Sequence, residues 1–433
     1  MKTNLIISLK KTAPFFIILL LSLVYFLSLM QVPFHPDEST QIYMSSDLQK
    51  LFTSPKSLIW LSAADEDREM QLRMLDAPLT RYMIGLGGWL TNQDALPTDW
   101  DWTKSFEYNQ QTGAFPANSL LLTARLSVSL VFPLSLVLLW LVLKKNFSPA
   151  AGWIGIFSAA GNALVLLHTR RAMAESLTFF LVIWLIYVLY QKKPSPVILG
   201  LAAGLVFCAK QSTAIWILAA FACVLFGSNS YTDTFKRKVI NLFLCAVAFI
   251  LIVLLLNPFL WKYPFSAFQR AYTLRQDLVI RQFADISRVS PASALNTPAQ
   301  RAGALAANLF FTPPAIEDTA NYIDALSISI TRYNDDSLNS MLRDIPGGFL
   351  VLVFTLLGVY TAIRTAFKLH TRENLLLVFA GIAQFLFLAA TVPLPFQRYI
   401  IPMVPTAIVF FAVGTSKLIE LIYQRIITNK RRP

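Results

Sequence analysis

The stretch Ala13 to Met30, APFFIILLLSLVYFLSLM, carries no charged side chain and runs almost directly into His35-Pro36-Asp37-Glu38-Ser39. A hydrocarbon core about 30 Å thick is crossed by about 20 apolar residues, each rising about 1.5 Å. The stretch therefore predicts a membrane helix, preceded by Lys2, Lys10 and Lys11. A secretory signal shares this outline. Leu29-Met30-Gln31-Val32-Pro33 offers no small-residue cleavage site, however, which favours a retained anchor.

The same pattern recurs along the chain. Of its 433 residues, 55% are hydrophobic and 14% charged, and mean hydropathy is +0.55. A soluble domain cannot bury that much apolar surface beside so few charges. Further apolar runs extend from Leu120 to Leu143, Ala150 to His168, Met173 to Tyr190, Val197 to Ala209, Thr213 to Phe226, Val239 to Leu256, Gly347 to Ile363, Leu375 to Val392 and Ile400 to Leu421. The expected fold is an all-α polytopic transmembrane bundle of about ten spans. It forms one domain over 1–433, with two long loops, 31–119 and 261–345, carrying short amphipathic helices. The Val197 to Phe226 pair is short enough to be either two spans or a re-entrant hairpin.

The formal charge of +13 does not point to nucleic acid, because the basic residues sit in short clusters between apolar runs. Lys10/Lys11, Lys144/Lys145, Lys192/Lys193, Lys236/Arg237/Lys238, Arg364/Lys368/Arg372 and Lys430/Arg431/Arg432 all fall on one side of such a bundle. By the positive-inside rule both termini are cytoplasmic, and both long loops share the outer face, most simply of the cell membrane. Cys208, Cys223 and Cys245 lie inside apolar runs, as packing residues do.

Four outward-facing places carry polar residues that a simple bundle does not need. Asp37/Glu38, behind Pro36, sit in the first turn of a helix, where acids also complement the helix dipole. Arg170-Arg171-Ala172-Met173-Ala174-Glu175 places two arginines in a tight turn and a carboxylate at the start of a span, where it demands a partner or a metal. The alternative is an internal Arg–Glu pair that fixes the turn. Lys210 stands at the tip of the short pair, placed either to hold a phosphate or to snorkel to headgroups. Arg398-Tyr399 enters the last span between prolines; the guanidinium suits bidentate phosphate recognition, and Tyr399 also fits an interfacial belt. His35, beside proline, reads as structural more readily than as a ligand. Asn92 to Ala117 adds Trp100, Trp102, Phe106, Tyr108 and Phe115, suited to sugar stacking or to the membrane interface.

These residues resemble the GT-C superfamily of multi-spanning glycosyltransferases, especially the branch of protein O-mannosyltransferases and aminoarabinose lipid A transferases. The resemblance rests on Asp37-Glu38, on Asp76-Ala77-Pro78-Leu79 as a degenerate His-Pro-Pro-Leu motif, and on Thr123-Ala124-Arg125-Leu126-Ser127. Arg171-Ala172-Met173-Ala174-Glu175, Lys210 and Arg398-Tyr399-Ile400-Ile401-Pro402 complete it. Departures are Asp76 in place of histidine, Glu175 where aspartate is common, and a chain that stops soon after the last span. The resemblance implies a sugar moved from a polyprenyl-phosphate donor to a glycan, lipid or protein acceptor on the exoplasmic face, by single displacement. Asp37 would be the base, with Glu38 beside it. Glu38 or Glu175 would bind Mg²⁺ or Mn²⁺, or hold sugar. Lys210 and Arg398 would bind phosphate, with Asp76, Arg170, Arg171, Glu175 and Tyr399 around the substrate. Competing readings are an ion-coupled transporter or lipid flippase, a polymerase or ligase of lipid-linked glycans, and a noncatalytic scaffold. Span centres nearly free of charge weigh against transport.

Overall fold

The computed structural model describes residues 2–227, 234–317 and 322–430, with side chains from 12 to 427; Arg431 and Arg432 of the last basic cluster lie outside the described residues. Among the described residues there are α- and 3₁₀-helices and no strand. Among the described residues, six helical segments are long and apolar enough to cross a membrane: Thr12–Gln31, Asn118–Asn146, Phe235–Leu256, Ile345–Leu369, Arg372–Thr391 and Gln397–Ile427. Shorter apolar helices are Pro149–Ala160, Ala174–Leu189, Pro196–Ala209 and Gln211–Phe226. This is a membrane protein with an all-α polytopic architecture.

Local chemistry explains where the helices break. The run expected to be one span from Ala150 to His168 is two helices. Gly161 ends the first, and the Asn162 side chain accepts from the amides of Leu164 (3.0 Å) and Val165 (3.2 Å) to start Ala163–His168. That re-capping aims the following Arg170-Arg171 turn inward. In the second span, Pro133 sits in the first turn of Phe132–Asn146, which separates it from Asn118–Ser129. Lys210 is extended between Pro196–Ala209 and a 3₁₀ turn, and Thr213 Oγ1 caps both the Val206 (2.9 Å) and Lys210 (2.6 Å) carbonyls.

The helices run back and forth between two ends. At one end Tyr190 Oη bonds Asn374 (2.8 Å) and Ser148 bonds Ser416 (2.6 Å), close in sequence to Lys144/Lys145, Lys192/Lys193 and Arg372. At the other, the two long polar regions pack on each other, with Glu66 paired to Arg270 at 2.7 Å and Asp76 3.7 Å from Arg275; Arg171 also donates to the Ile316 carbonyl at 2.6 Å, and Tyr82 to the Leu256 carbonyl at 3.1 Å. The second region is not built only of short helices. Pro264–Val289 has 26 residues, as long as a span, but Arg270, Arg275, Asp277, Arg281, Asp285 and Arg288 charge it throughout.

The core lies between the apolar helices, around Leu136, Leu139, Val182, Leu185, Ala203, Trp216, Ile400 and Val409. The three cysteines are buried and unbridged. Ile345–Leu369 and the last helix, Val404–Lys430, cross at reciprocal glycines. A Cβ on Gly358 would stand 1.8 Å from the Phe410 carbonyl oxygen, and one on Gly414 2.0 Å from that of Phe354. Small residues allow this close approach, the usual device where lipid removes the hydrophobic drive between helices. Phe235–Leu256 has only 11% of its apolar window buried, so most of its surface is left for lipid.

Candidate active site

After the first apolar helical segment, which ends at Gln31, the chain restarts as the helix Pro36–Tyr43. His35 is its cap: Nδ1 accepts from the Asp37 amide at 3.1 Å, and Glu38 reaches back to the His35 amide at 3.0 Å. Burial, then the nearby charges of Arg171 and Arg398, hold His35 well below the ordinary histidine range. It is therefore a neutral acceptor, and the structural reading of His35 describes its backbone bond.

The two adjacent acids have different surroundings. Glu38 is fully buried, and both its oxygens are occupied. Arg125 Nε donates to Oε1 at 2.8 Å and Nη2 to Oε2 at 2.7 Å, while the Ala172 amide donates to Oε1 at 2.8 Å. Arg125 Nη1 also caps the Leu29 (2.8 Å) and Val32 (2.9 Å) carbonyls. Glu38 thus joins the first loop, the second span and the Arg171-Ala172 turn. With the His35 amide, these donors fill the acceptor positions of the Glu38 carboxylate in this structure.

Asp37, one residue earlier, keeps 31% of its side chain exposed and pairs through Oδ2 with Arg398 Nη1. Arg398 lies 361 positions away and enters from the 3₁₀ segment Gln397–Met403. Its own carbonyl accepts from Lys210 Nζ at 3.3 Å, and Lys210 Nζ pairs with Glu175 Oε1. Four segments distant in sequence thus join as Asp37–Arg398–Lys210–Glu175. Aromatic rings back the cations: Lys210 Nζ is 5.4 Å from the centre of Tyr399, and Arg398 is 5.6 Å from Phe396 and 6.0 Å from Tyr399. Phe396 and Tyr399 stack at 6.1 Å. Glu175 is 2% exposed, and its Oε2 has no hydrogen-bond partner among the described residues.

The other expected residues occupy the margin. Asp76 accepts from Gln41 Nε2 at 3.3 Å, one helical turn beyond Asp37, and Arg275 stands 3.7 Å from its carboxylate. Burial pushes its pKa above the usual carboxylate range, against the pull of Arg275 and Arg81. Arg170 and Arg171, expected around the substrate, are both 2% exposed. Arg171 donates to the Pro33 (3.2 Å) and Ile316 (2.6 Å) carbonyls; Arg170 donates to the carbonyls of Leu166 and Ser28 (3.2 Å) and to Asn339 (3.3 Å). They hold the loops and leave positive charge under the site.

Sequence reasoning missed Arg125 as the partner of Glu38, together with Gln41, Arg81, Arg275 and the Phe396 ring. A signal for Arg125 existed: it is the only charge between Leu120 and Leu143, and a charge in a span requires a partner. The divalent-cation expectation meets an unsuitable donor set. Glu38 is bonded to Arg125 and Glu175 to Lys210, and no group of three or more His, Cys, Asp or Glu gathers among the described residues. A surface groove of about 410 Å³, between Trp60–Ala63 and the Tyr263–Thr273 face of the long charged helix, contains none of the four linked residues.

No protein-family model matches the sequence, and no curated protein matches it. Solved structures do match. The oligosaccharyltransferase of Archaeoglobus fulgidus, in complex with Zn and sulfate, aligns over 94% of this chain and 50% of its own, with TM-score 0.52 and 14% identity. The same organism's AglB, with an inhibitory peptide and a dolichol-phosphate, aligns over 98% and 52%, with TM-score 0.52 and 14% identity. ArnT from Cupriavidus metallidurans, bound to undecaprenyl phosphate, aligns over 96% and 63%, with TM-score 0.51 and 14% identity. The chain spans about half the length of the oligosaccharyltransferase. At such identity the likeness is one of fold alone: this chain shares the fold of the AglB and ArnT structures.

Proposed function

We propose that this protein is a membrane glycosyltransferase that moves a sugar from a polyprenyl-phosphate donor to an acceptor hydroxyl on the exoplasmic face, with inversion. The observation that carries the reading is the linked set Asp37, Arg398, Lys210 and Glu175 at one end of a GT-C fold. It combines an accessible carboxylate with two cations fit for phosphate. The basic clusters near the opposite end support an outward-facing site with cytoplasmic termini. The dolichol-phosphate and undecaprenyl phosphate in the AglB and ArnT structures support a lipid-phosphate donor here.

In this reading Asp37 takes the proton of the acceptor hydroxyl as that oxygen bonds to the anomeric carbon. The bond from that carbon to the phosphate oxygen breaks, and its electron pair leaves with the phosphate. Arg398, through its planar fork, and Lys210 neutralise the departing charge. Tyr399 keeps both cations in place, and Asp76 lines the acceptor side. Glu175 holds Lys210 upright, and Arg171 adds field from beneath. A general base contributes about 10²–10⁴-fold. Asp37→Asn, assayed in vesicles loaded with undecaprenyl-phosphate-linked sugar from the same cells, is expected to lose at least about 10²-fold in transfer while inserting normally. Full transfer by that variant would remove Asp37 as the base. Mass spectrometry of lipid co-purified with the wild type identifies the donor sugar.

A further inference from the structure

The pairing of Asp37 with Arg398 sets the intended base against the intended phosphate ligand. Asp37, Arg398, Lys210 and Glu175 carry two negative and two positive charges, so the set is neutral as built. A carboxylate held by a guanidinium takes a proton less readily, because the pair favours its charged form. An arriving phosphate competes for the same donors.

The two ion pairs are not equally free to open. Glu175 is 2% exposed, and its second oxygen has no hydrogen bond, so losing Lys210 would strand a buried charge. Asp37 is 31% exposed and can turn to water when released. Lys210 need not choose. An ammonium has three N–H donors; one serves Glu175 and one the Arg398 carbonyl at 3.3 Å, which leaves a third for a ligand.

Resting on the donor reading above, we propose that the donor phosphate arms the base by exchange: it takes Arg398 from Asp37, while Lys210 keeps Glu175 and adds its third donor to the phosphate. No covalent bond changes in this step; one ion pair replaces another. Asp37 is unmasked only when a phosphate-bearing donor is seated. The device selects for phosphate and keeps the base idle toward acceptor or water arriving alone.

Linkage makes the exchange measurable, since a group that competes with a ligand weakens its binding by the factor by which the ligand weakens the group's own contact. Binding of undecaprenyl phosphate to the purified full-length protein in nanodiscs, read by native mass spectrometry, is the test. Asp37→Asn, expected above to lose most transfer, is expected to tighten binding by about 5-fold or more. Arg398→Gln is expected to weaken it, and in the Arg398→Gln background Asp37→Asn should bring no gain. Asp37→Ser repeats the measurement should the asparagine variant fail to fold. Unchanged or weaker binding in the Asp37 variants, or an equal gain without Arg398, overturns the exchange and leaves the donor reading intact. A wild-type protein that binds no undecaprenyl phosphate overturns both.

Discussion

Arg125→Met offers the sharpest test of the division between the two adjacent acids. Arg125 and Glu38 are 1% and 0% exposed and bonded twice to each other, and Arg125 also caps two carbonyls. Deleting the arginine leaves a buried carboxylate without its counter-charge, a loss of about 3–5 kcal/mol when a buried pair is broken from one side. At about 2 °C per kcal/mol, the melting temperature should fall by about 6–10 °C. Glu38→Gln should cost a similar amount, because it turns one accepting oxygen into a donor facing other donors. The double change, Glu38→Leu with Arg125→Met, should be less destabilised than the sum of the two single changes, since it leaves no unpaired charge. The assay is thermal unfolding in detergent followed by size-exclusion, alongside transfer activity per folded molecule. Asp37→Asn, by contrast, should melt within a few degrees of wild type. If Glu38→Gln melts like wild type yet transfers nothing, the structural assignment of Glu38 is wrong and a direct catalytic role returns.

Other outcomes follow from the same contacts. Lys210→Met strands Glu175 and should lower both stability and transfer, whereas Lys210→Met with Glu175→Leu should restore much of the stability and none of the transfer. Gly358→Val drives a side chain into the Phe410 carbonyl, closer than any real contact allows. It should cost about 1–3 kcal/mol in melting experiments, more than the same change at Gly303, which faces open space. Glu66 closes the two long loops together; burial acts to raise its pKa, but bonds from Arg270 and Trp60 prevail and lower it. That stabilisation is present above the ordinary glutamate pKa of about 4.3 and is lost as pH falls through the lower folded value. Limited proteolysis of the loops should therefore accelerate on acidification below about pH 4, and Glu66→Gln should be cleaved faster already at neutral pH and lose that acid step.

The apolar helices were legible because burial in lipid imposes length and composition, a constraint local to each segment. Asp37, Glu175, Lys210 and Arg398 were legible as candidates for a related reason: a charge beside an apolar run needs an explanation. Their pairing was not, because Asp37 and Arg398 lie 361 positions apart and hydropathy carries no record of partners. The break at Gly161-Asn162 was visible only as two small polar residues in an apolar run, and the Asn162 cap that decides it is a matter of side-chain direction. Pro264–Val289 was read as loop because its charges hide its length; Ala267, Ala271 and Leu274 bury one face against the first loop while Phe265, Phe268 and Tyr272 stay exposed on another. Arg170 and Arg171 were assigned to substrate because a cationic turn outside the membrane is unusual. The carbonyls that absorb them belong to loops whose path the sequence does not show.

The joining of Glu38 to Arg125 also bears on time. Because one acid of the pair fixes the backbone to three segments, its neighbour can change partner by side-chain rotation alone. Rotamer changes at partly exposed sites take picoseconds to nanoseconds, whereas loop closure and domain motions take microseconds or longer. A base armed by a rotamer adds no slow step to turnover. In such an enzyme the steps left to set the rate would be the displacement itself and the passage of lipid into and out of the site.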